Sequence, residues 1–245
     1  MTLYTPRHFA SESREDALAL IRTWPFATLV TTTPDGEPHI THLPLLLEGG
    51  EDMRFASTAR SMSERPAMDG RAGVVKSAQS RQGRHHDTES TRLIGHMARA
   101  NPHWQAFAAG HTVAVFHGPH AYISPNWYVD PAIHVPTWNY SAVHAHGVPT
   151  LIDDRAAKLA VVDATTAAFE PADKPWQRQV QGAKLEALLN AIVAFHIPLS
   201  RIEAKFKMGQ NRSAADRAQV MAALRATAHP DLAAMADWMR AHEQD

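Results

Sequence analysis

A β-hairpin pattern near the N-terminus constrains the fold of this chain more than any other feature. Residues 26–33, Phe-Ala-Thr-Leu-Val-Thr-Thr-Thr, are rich in the β-branched types that favour strands. Pro34-Asp35-Gly36 then predicts a tight turn, because glycine tolerates positive φ. Residues 38–47 supply the partner strand. The resulting hairpin commits this part of the chain to antiparallel pairing.

Further strand patterns and helix patterns follow the hairpin. The strand-like runs are short and bounded by Gly, Pro, Asn or Asp: residues 112–116, 121–124, 144–151 and 192–201. Helical patterns cover residues 17–21 after a Ser13 N-cap, and residues 155–169, 179–192, 213–228 and 231–242. A mostly β half followed by helices predicts an α+β fold rather than a βαβ winding. Several short strands joined by turns predict a barrel or a sandwich.

One polar segment interrupts this pattern. Residues 50–91 are rich in Arg, Ser, Gly and Gln, and they lack the apolar content to pack on themselves. We therefore predict a mobile insertion in a hairpin at 50–91. A basic loop of this kind could instead hold phosphate or nucleic acid. The whole chain, 1–245, is otherwise predicted to be a single domain that ends in a helical extension at 213–243.

Composition excludes several classes of function. The 24 lysines and arginines nearly balance 25 aspartates and glutamates, so DNA binding would need a local basic patch. The absence of cysteine excludes disulfides, thiolate metal sites and a cysteine nucleophile. Residues 1–10 lack the apolar stretch of a signal peptide, and no run of 18 apolar residues occurs. We therefore expect a cytoplasmic protein with no membrane span.

The segment from Gly95 to Trp104 carries the most informative candidate site. It follows a strand-like pair, Leu93-Ile94, and lies where strand gives way to helix. His96, Arg99 and Asn101 beside a helix N-terminus would form a phosphate pocket. Alternatively, the segment is a strand-to-helix corner in which Asn101 caps the helix and Trp104 packs. The residues alone leave both interpretations open.

Three other segments carry groups that could hold a ligand. On the strand at residues 40–44, Thr41 and Leu43 share one face and His42 takes the other, so the Thr41 hydroxyl could bond a phosphate or a flavin edge. The aromatic segments 118–128 and 135–140 could stack on a planar heterocycle or fill a dimer interface. Residues 205–213 combine lysines with Gln210, Asn211 and Arg212, a pattern typical of an anion site or a solvated basic turn.

Familiar catalytic motifs do not occur in the sequence. There is no HExxH, GxGxxG, GxxxxGK[ST] or GxSxG pattern, so the sequence specifies no catalytic acid, base or nucleophile. Sixteen histidines raise a metal or haem hypothesis, but no zinc pattern accompanies them.

Six blocks in order carry a resemblance to a known family. They are residues 4–9, 41–47, 95–102, 118–125, 135–140 and 205–212, and they include Gly95-His-Met-Ala-Arg-Ala-Asn-Pro102 and Lys205-Phe-Lys-Met-Gly-Gln-Asn-Arg212. Together they resemble the PaiB-type FMN-binding negative transcriptional regulators, which are related to pyridoxamine 5′-phosphate oxidase-like split barrels. Family members run through a short strand where this chain has residues 49–91. Residues 52–57, 73–76 or 93–96 would then supply that strand.

The resemblance implies a fold, a cofactor and a set of site residues. The fold would be an antiparallel Greek-key split β-barrel of six strands with flanking helices, and the protein a homodimer with FMN at the subunit interface. Strand and corner residues would hold the phosphate and ribityl chain: Thr41, His42, Leu43, His96, Ala98, Arg99 and Asn101. Other residues would reach the isoalloxazine ring, some from the partner subunit: Tyr122, Ser124, Trp138 and Asn139. A further group of expected ligands is Lys207, Gln210 and Arg212.

Three functions follow from these patterns. The favoured function is a flavin-binding repressor that acts directly on DNA or through a regulatory protein partner. The formal net charge of −1, and acidic residues such as Asp231 and Asp237 in the last helix pair, argue against direct DNA binding. The alternatives are an FMN-dependent oxidoreductase or flavin reductase, and a haem-binding split barrel that the histidine count alone supports.

Overall fold

The structure is a computed structural model that describes residues 3–9, 13–49, 91–108 and 110–243. Within these ranges the strands are β1 Phe26–Thr32, β2 Pro38–Pro44, β3 Leu46–Glu48, β4 Arg92–Ala98, β5 His111–Ile123, β6 Thr137–Gly147, β7 Thr150–Ile152 and β8 Ile192–Lys207. The α-helices are α1 Arg14–Thr23, α2 Arg155–Phe169, α3 Gly182–Asn190, α4 Ala214–Ala226 and α5 Pro230–Ala241. Short 3-10 helices include Pro102–Ala106, here called the corner helix.

The strands form one curled antiparallel sheet, as the split-barrel prediction requires. Its order is β2-β1-β5-β6-β8-β4-β3, with β7 paired to β8. β8 joins the two halves of this sheet, because its first part pairs with β4 and β7 and its second part with β6. The described sheet has eight strands where six were implied. Part of the difference arises because the predicted strand 38–47 divides at Leu45 into β2 and β3.

Local sequence signals account for several element boundaries. Ser13 caps α1 by accepting a hydrogen bond from the backbone N–H of Asp16 at 3.1 Å, as predicted. Ser213 caps α4 in the same way through Asp216. The hairpin of β1 and β2 turns at Gly36, whose φ of 89° favours glycine.

One face of the sheet is buried in the core and the other is largely uncovered. On β1 and β5 the inward residues Leu29, Ala114 and Phe116 are fully buried. Helices α1, α4 and α5 contribute Leu20, Met235 and other apolar side chains to the same cluster. We call the opposite side of β1, β2, β5 and β6 the outer face. Four of its large apolar side chains are more than two-fifths exposed: Phe26 64%, Ile40 57%, Tyr122 44% and Trp138 54%.

Some sequence-based boundaries are wrong. The predicted runs 112–116 and 121–124 are one strand, β5, with a register shift between His117 and His120. Gly118-Pro119 gives a turn signal, but Gly118 packs against β6, where an added Cβ would lie 2.2 Å from Ser141 Oγ. The aromatic segment 135–140 is likewise largely strand, because β6 begins at Thr137, and β8 continues to Lys207 instead of ending near 201.

Other predictions lie partly beyond what the structure describes. The insertion at 50–91 falls, apart from Thr91, outside the described residues, as do the alternative strands at 52–57 and 73–76. The third candidate, 93–96, lies within β4. In the described part of the chain, no helix is long and apolar enough to cross a membrane.

Candidate functional site

A chain of buried hydrogen bonds connects β2 to the corner helix and to the centre of the sheet. His103, only 2% exposed, lies between two threonine hydroxyls. Its Nδ1 is 2.7 Å from Thr41 Oγ1, and its Nε2 is 2.8 Å from Thr31 Oγ1. Thr31 continues the chain to Thr112, with 2.8 Å between the hydroxyl oxygens. At the other end, Asn101 donates from Nδ2 to Thr41 Oγ1 at 3.0 Å. We call these five residues the His103 chain.

The imidazole of His103 is neutral at ordinary pH. Burial, and secondarily the nearby His39, lower the pKa of His103 to about 4. The two rings stack with centroids 5.8 Å apart. A neutral imidazole carries a single N–H, so one threonine donates to the ring and the other accepts from it. The chain is therefore built on hydrogen bonds alone, with no ion pair.

In the corner after β4, Asn101 caps the helix and Trp104 packs, as in the second of the two interpretations of this segment. Asn101 Oδ1 caps the corner helix by accepting from the backbone N–H of His103 at 3.0 Å. Trp104 packs against the core and donates from Nε1 to the carbonyl oxygen of Arg99 at 3.1 Å. The corner helix has five residues and 3-10 geometry, so it lacks the dipole of a longer helix.

The other predicted phosphate ligands of this block point in different directions. The Arg99 guanidinium donates to the carbonyl oxygens of Asn190 at 2.7 Å and Ile192 at 3.1 Å. His96 lies on the face of β4 that it shares with Ile94, which packs with Val161 of α2. Burial lowers the pKa of His96. Ala98 is exposed at the end of β4. The predicted phosphate ligands within residues 95–102 therefore do not converge on one point in this chain.

The predicted strand residues of β2 divide between the two sheet faces as expected. Leu43 is in the core at 5% exposure, and Thr41 is half-buried on the same side. His42 is exposed on the outer face, with Nδ1 3.1 Å from Thr28 Oγ1. β2 ends the described sheet, since among the described strands it pairs with β1 alone.

A second group of predicted residues lies at the far end of β5 and β6. The rings of Tyr122 and Trp138 on the outer face meet edge-on, with centroids 6.1 Å apart. Lys207 donates from Nζ to the Trp138 carbonyl oxygen at 2.6 Å and to Thr137 Oγ1 at 2.7 Å. Burial, followed by the nearby charges of Arg212 and Lys205, lowers the pKa of Lys207. The pair of rings therefore presents aromatic surface beside a cation.

The remaining predicted residues have structural contacts of their own. Ser124 caps the short helix Pro125–Trp127, and Asn139 is 3% exposed, with Nδ2 3.5 Å from Met239 Sδ. Gln210 closes the turn after β8 by accepting from Met208 N–H and donating to the Phe206 carbonyl oxygen. Arg212 donates to His134 Nδ1 at 3.1 Å. These contacts stabilise the turns around the second group.

The two groups of predicted residues are far apart along the sheet of this chain. Thr41 pairs with Leu29, and Leu29 pairs with Ala114 of β5. From Ala114 to Tyr122 the strand runs for about 25 Å at roughly 3.3 Å per residue.

Histidines of the outer face form hydrogen-bonded pairs and not a metal cluster. His111 Nε2 lies 3.0 Å from His146 Nδ1, and His146 Nε2 lies 2.8 Å from Glu203 Oε2. Within the described ranges, no group of three or more potential ligands could hold a metal ion.

The sequence analysis did not identify His103 as a site residue, because its partners Thr31 and Thr41 are 72 and 62 residues away in sequence.

The residues present fit a flavin in their chemistry. Tyr122 and Trp138 offer exposed aromatic surface for a planar ring, and Lys207 offers positive charge. Thr41 adds a half-buried hydroxyl on β2, which pairs with β1 alone among the described strands. A family model described as "Putative FMN-binding domain" matches residues 3–201 of this chain. The chain belongs to this FMN-binding family. FMN as the cofactor of the family is thereby confirmed, and the resemblance to PaiB-type proteins is confirmed by a relative that is 30% identical over 97% of this chain.

Known proteins similar to this chain agree with that assignment. "Protease synthase and sporulation protein PAI 2" of Bacillus subtilis is 30% identical over 240 residues, which cover 97% of this chain and 96% of that protein. Among solved structures, the flavocytochrome Anf3 of Azotobacter vinelandii has a TM-score of 0.54 at 14% identity, covering 88% of this chain and 78% of that one. The "FAD and Heme binding protein" of Mycobacterium smegmatis has a TM-score of 0.50 at 17% identity, covering 85% and 78%. At these identities the structures show the fold alone.

Proposed function

We propose that this member of the FMN-binding family is a negative transcriptional regulator of the PaiB type, a homodimer with flavin at the subunit interface. The observation that carries the proposal is the division of the expected flavin residues into two groups, about 25 Å apart along β5. A dimer would bring one group from each protomer to each flavin.

The outer face supports a dimer. Its exposed side chains Phe26, Ile40, Tyr122 and Trp138 lie opposite a core face that helices already cover. Large exposed apolar side chains on one face of a sheet are typical of a protein–protein interface, and Trp and Tyr are enriched in such interfaces. A second copy of the chain would bury this surface and enclose the aromatic pair.

Within that dimer we assign different parts of the flavin to the two groups. The β2 residues and Asn101 of the corner would hold the phosphate and ribityl chain, and Tyr122 and Trp138 of the partner copy would contact the ring system. Lys207 would add positive charge near the aromatic pair. When bound, FMN supplies redox chemistry and visible absorption, while the protein binds and orients it.

The route to repression is through a regulatory protein partner more than through direct DNA contact. The α4–α5 pair packs on the core through Val220, Leu224 and Met235. Asp231 and Asp237 are exposed on α5, and Asp237 pairs with Arg225. Acidic side chains on the exposed part of a helix repel phosphates, so α5 is a poor DNA-reading helix.

A second candidate function is an FMN-dependent oxidoreductase. Two solved structures with the same fold are named for redox groups, one as a flavocytochrome and one as an FAD and heme binding protein. If no second copy covers the outer face, the exposed Tyr122–Trp138 pair would leave room for a second planar reactant beside the flavin. Oxidation of NADH or NADPH that depends on FMN would favour this candidate over a regulator.

A spectroscopic titration with two tryptophan variants tests the proposal. Purified protein is titrated with FMN while visible absorption, flavin fluorescence and the mass in solution are recorded. We expect saturable binding and a mass of twice the 27.0 kDa chain. Trp138→Ala should weaken FMN binding, whereas Trp176→Ala should not, although both side chains are about half exposed, at 54% and 53%. A monomeric wild type, or no binding of FMN, would overturn the proposal. A Soret band instead of a flavin spectrum would point to haem.

A further inference from the structure

The hydrogen bonds of the His103 chain impose an order on its protons. The chain runs Asn101, Thr41, His103, Thr31, Thr112, with donor–acceptor distances between 2.7 and 3.0 Å. Each threonine hydroxyl has one proton to donate, and the neutral ring has one N–H. Three hydroxyls and one ring supply four protons for the three bonds that join them. One proton must therefore point out of the chain, and it does not do so at the middle hydroxyl, because Thr31 is fully buried.

The two ends differ in burial. At the inner end, Thr112 is 1% exposed, and its hydroxyl contacts Thr31 alone among the described residues. A proton pointing out of the chain there would be a buried donor without an acceptor, which is costly. At the outer end, Thr41 is half-buried. The surplus proton therefore leaves at Thr41.

This order fixes the tautomer of His103. Thr112 donates to Thr31, and Thr31 donates to His103 Nε2, so the ring proton is on Nδ1. The ring then donates to Thr41 Oγ1, which also accepts from Asn101 Nδ2 at 3.0 Å. Both lone pairs of the Thr41 oxygen are filled, so its hydroxyl can act only as a donor toward a group outside the chain.

We propose that His103 is a positioning residue that holds the Thr41 hydroxyl as a donor toward an oxygen of the bound flavin. The inference rests on the proposed function, because the acceptor is a flavin oxygen. An acceptor in the phosphate, in the ribityl chain or in the ring carbonyls would satisfy the same donor. His103 does not touch the flavin and acts through Thr41.

The tautomer of His103 is measured first, without FMN. Long-range proton–nitrogen correlation spectra of the ¹⁵N-labelled protein distinguish Nδ1–H from Nε2–H imidazoles, and the signal lost in His103→Gln identifies His103. We expect the Nδ1–H form, which is the minor tautomer of free histidine. An Nε2–H signal would overturn the proposed proton order whether or not FMN binds.

The donor role of Thr41 is measured by affinity. Thr41→Ser keeps the hydroxyl and should bind FMN like the wild type, while Thr41→Val should bind about tenfold more weakly, the scale of one hydrogen bond. Thr165→Val is the matched control, because among the described residues its hydroxyl bonds only the Val161 carbonyl within α2. Unchanged affinity in Thr41→Val would overturn the inference.

Two further comparisons show which part of the flavin accepts the Thr41 hydrogen bond and whether His103 acts through its Nδ1 position. Riboflavin lacks the phosphate, so a Thr41→Val loss seen with FMN alone places the acceptor on the phosphate, and a loss with both places it on the ring or ribityl chain. His103→Asn can return a donor near the Nδ1 position and should keep more FMN affinity than His103→Gln. If the wild type binds no FMN, the proposed function fails, while the tautomer result still tests the proton order.

Discussion

Arg99 and Asn190 join the corner after β4 to the end of α3, with 2.7 Å between Arg99 Nε and the Asn190 carbonyl oxygen. A second bond reaches the Ile192 carbonyl oxygen at 3.1 Å. Carbonyls at a helix C-terminus lack partners within the helix, so the guanidinium acts as a side-chain cap from another element.

Arg99→Ala should therefore reduce stability more than it reduces FMN affinity. Loss of two exposed hydrogen bonds should lower the free energy of unfolding by about 1 kcal/mol. FMN affinity, measured well below the melting temperature, should stay within about twofold. Calorimetry and FMN titration on the same preparation check both. A large loss of affinity with an unchanged melting temperature would instead support the phosphate role that the family resemblance implies.

The low pKa of His103 predicts a loss of stability on acidification. Its pKa of about 4 in the folded protein lies below the usual value of 6.5, so the unfolded chain binds more protons between these two pH values. Stability from this residue is complete above pH 6.5 and is lost as the pH falls toward 4. The full contribution is about 3 kcal/mol.

This loss of stability on acidification is measured as the slope of the free energy of unfolding against pH. Other histidines with lowered pKa values, including His96, His144 and His196, add slopes of the same sign. The comparison is therefore between the wild type and His103→Gln, which should show a shallower slope from pH 7 to pH 4. Parallel slopes would contradict a neutral, buried His103.

Local signals made part of this fold predictable from sequence. Ser13 and Ser213 cap their helices within three residues, and Gly36 turns the first hairpin, so neighbouring residues carry all the information. β5 was not predicted as one strand, because Gly118-Pro119 looks like a turn until Ser141 of β6 is placed beside it. The His103 chain could not be predicted from sequence for the same reason, since only tertiary contacts bring its threonines together.

Two glycines of the sheet should respond differently to alanine. At Gly147 an added Cβ would lie 2.3 Å from the backbone oxygen of Pro198, which can move only with β8. At Gly95 the nearest atom, at 2.6 Å, is the Cδ2 end of the Leu45 side chain, which can rotate. We expect Gly147→Ala to cost about 3 kcal/mol and Gly95→Ala about 1 kcal/mol. Urea denaturation checks the order, and equal costs would contradict the fixed approach of β6 to β8.

A charge placed on the outer face should dissociate the proposed dimer. Ile40 is 57% exposed at the edge strand β2, and a second copy seated on this face would bury it. A lysine there would lose its hydration in the interface without an opposing charge, which costs several kcal/mol. Leu188 on α3 is the matched control, because it is 52% exposed but lies outside the outer face. Light scattering should therefore report a monomer for Ile40→Lys and a dimer for Leu188→Lys. FMN affinity should fall with the dimer, since each flavin would lose the aromatic pair of the partner copy. A dimer that survives Ile40→Lys but not Leu188→Lys would move the interface from the sheet to the helices.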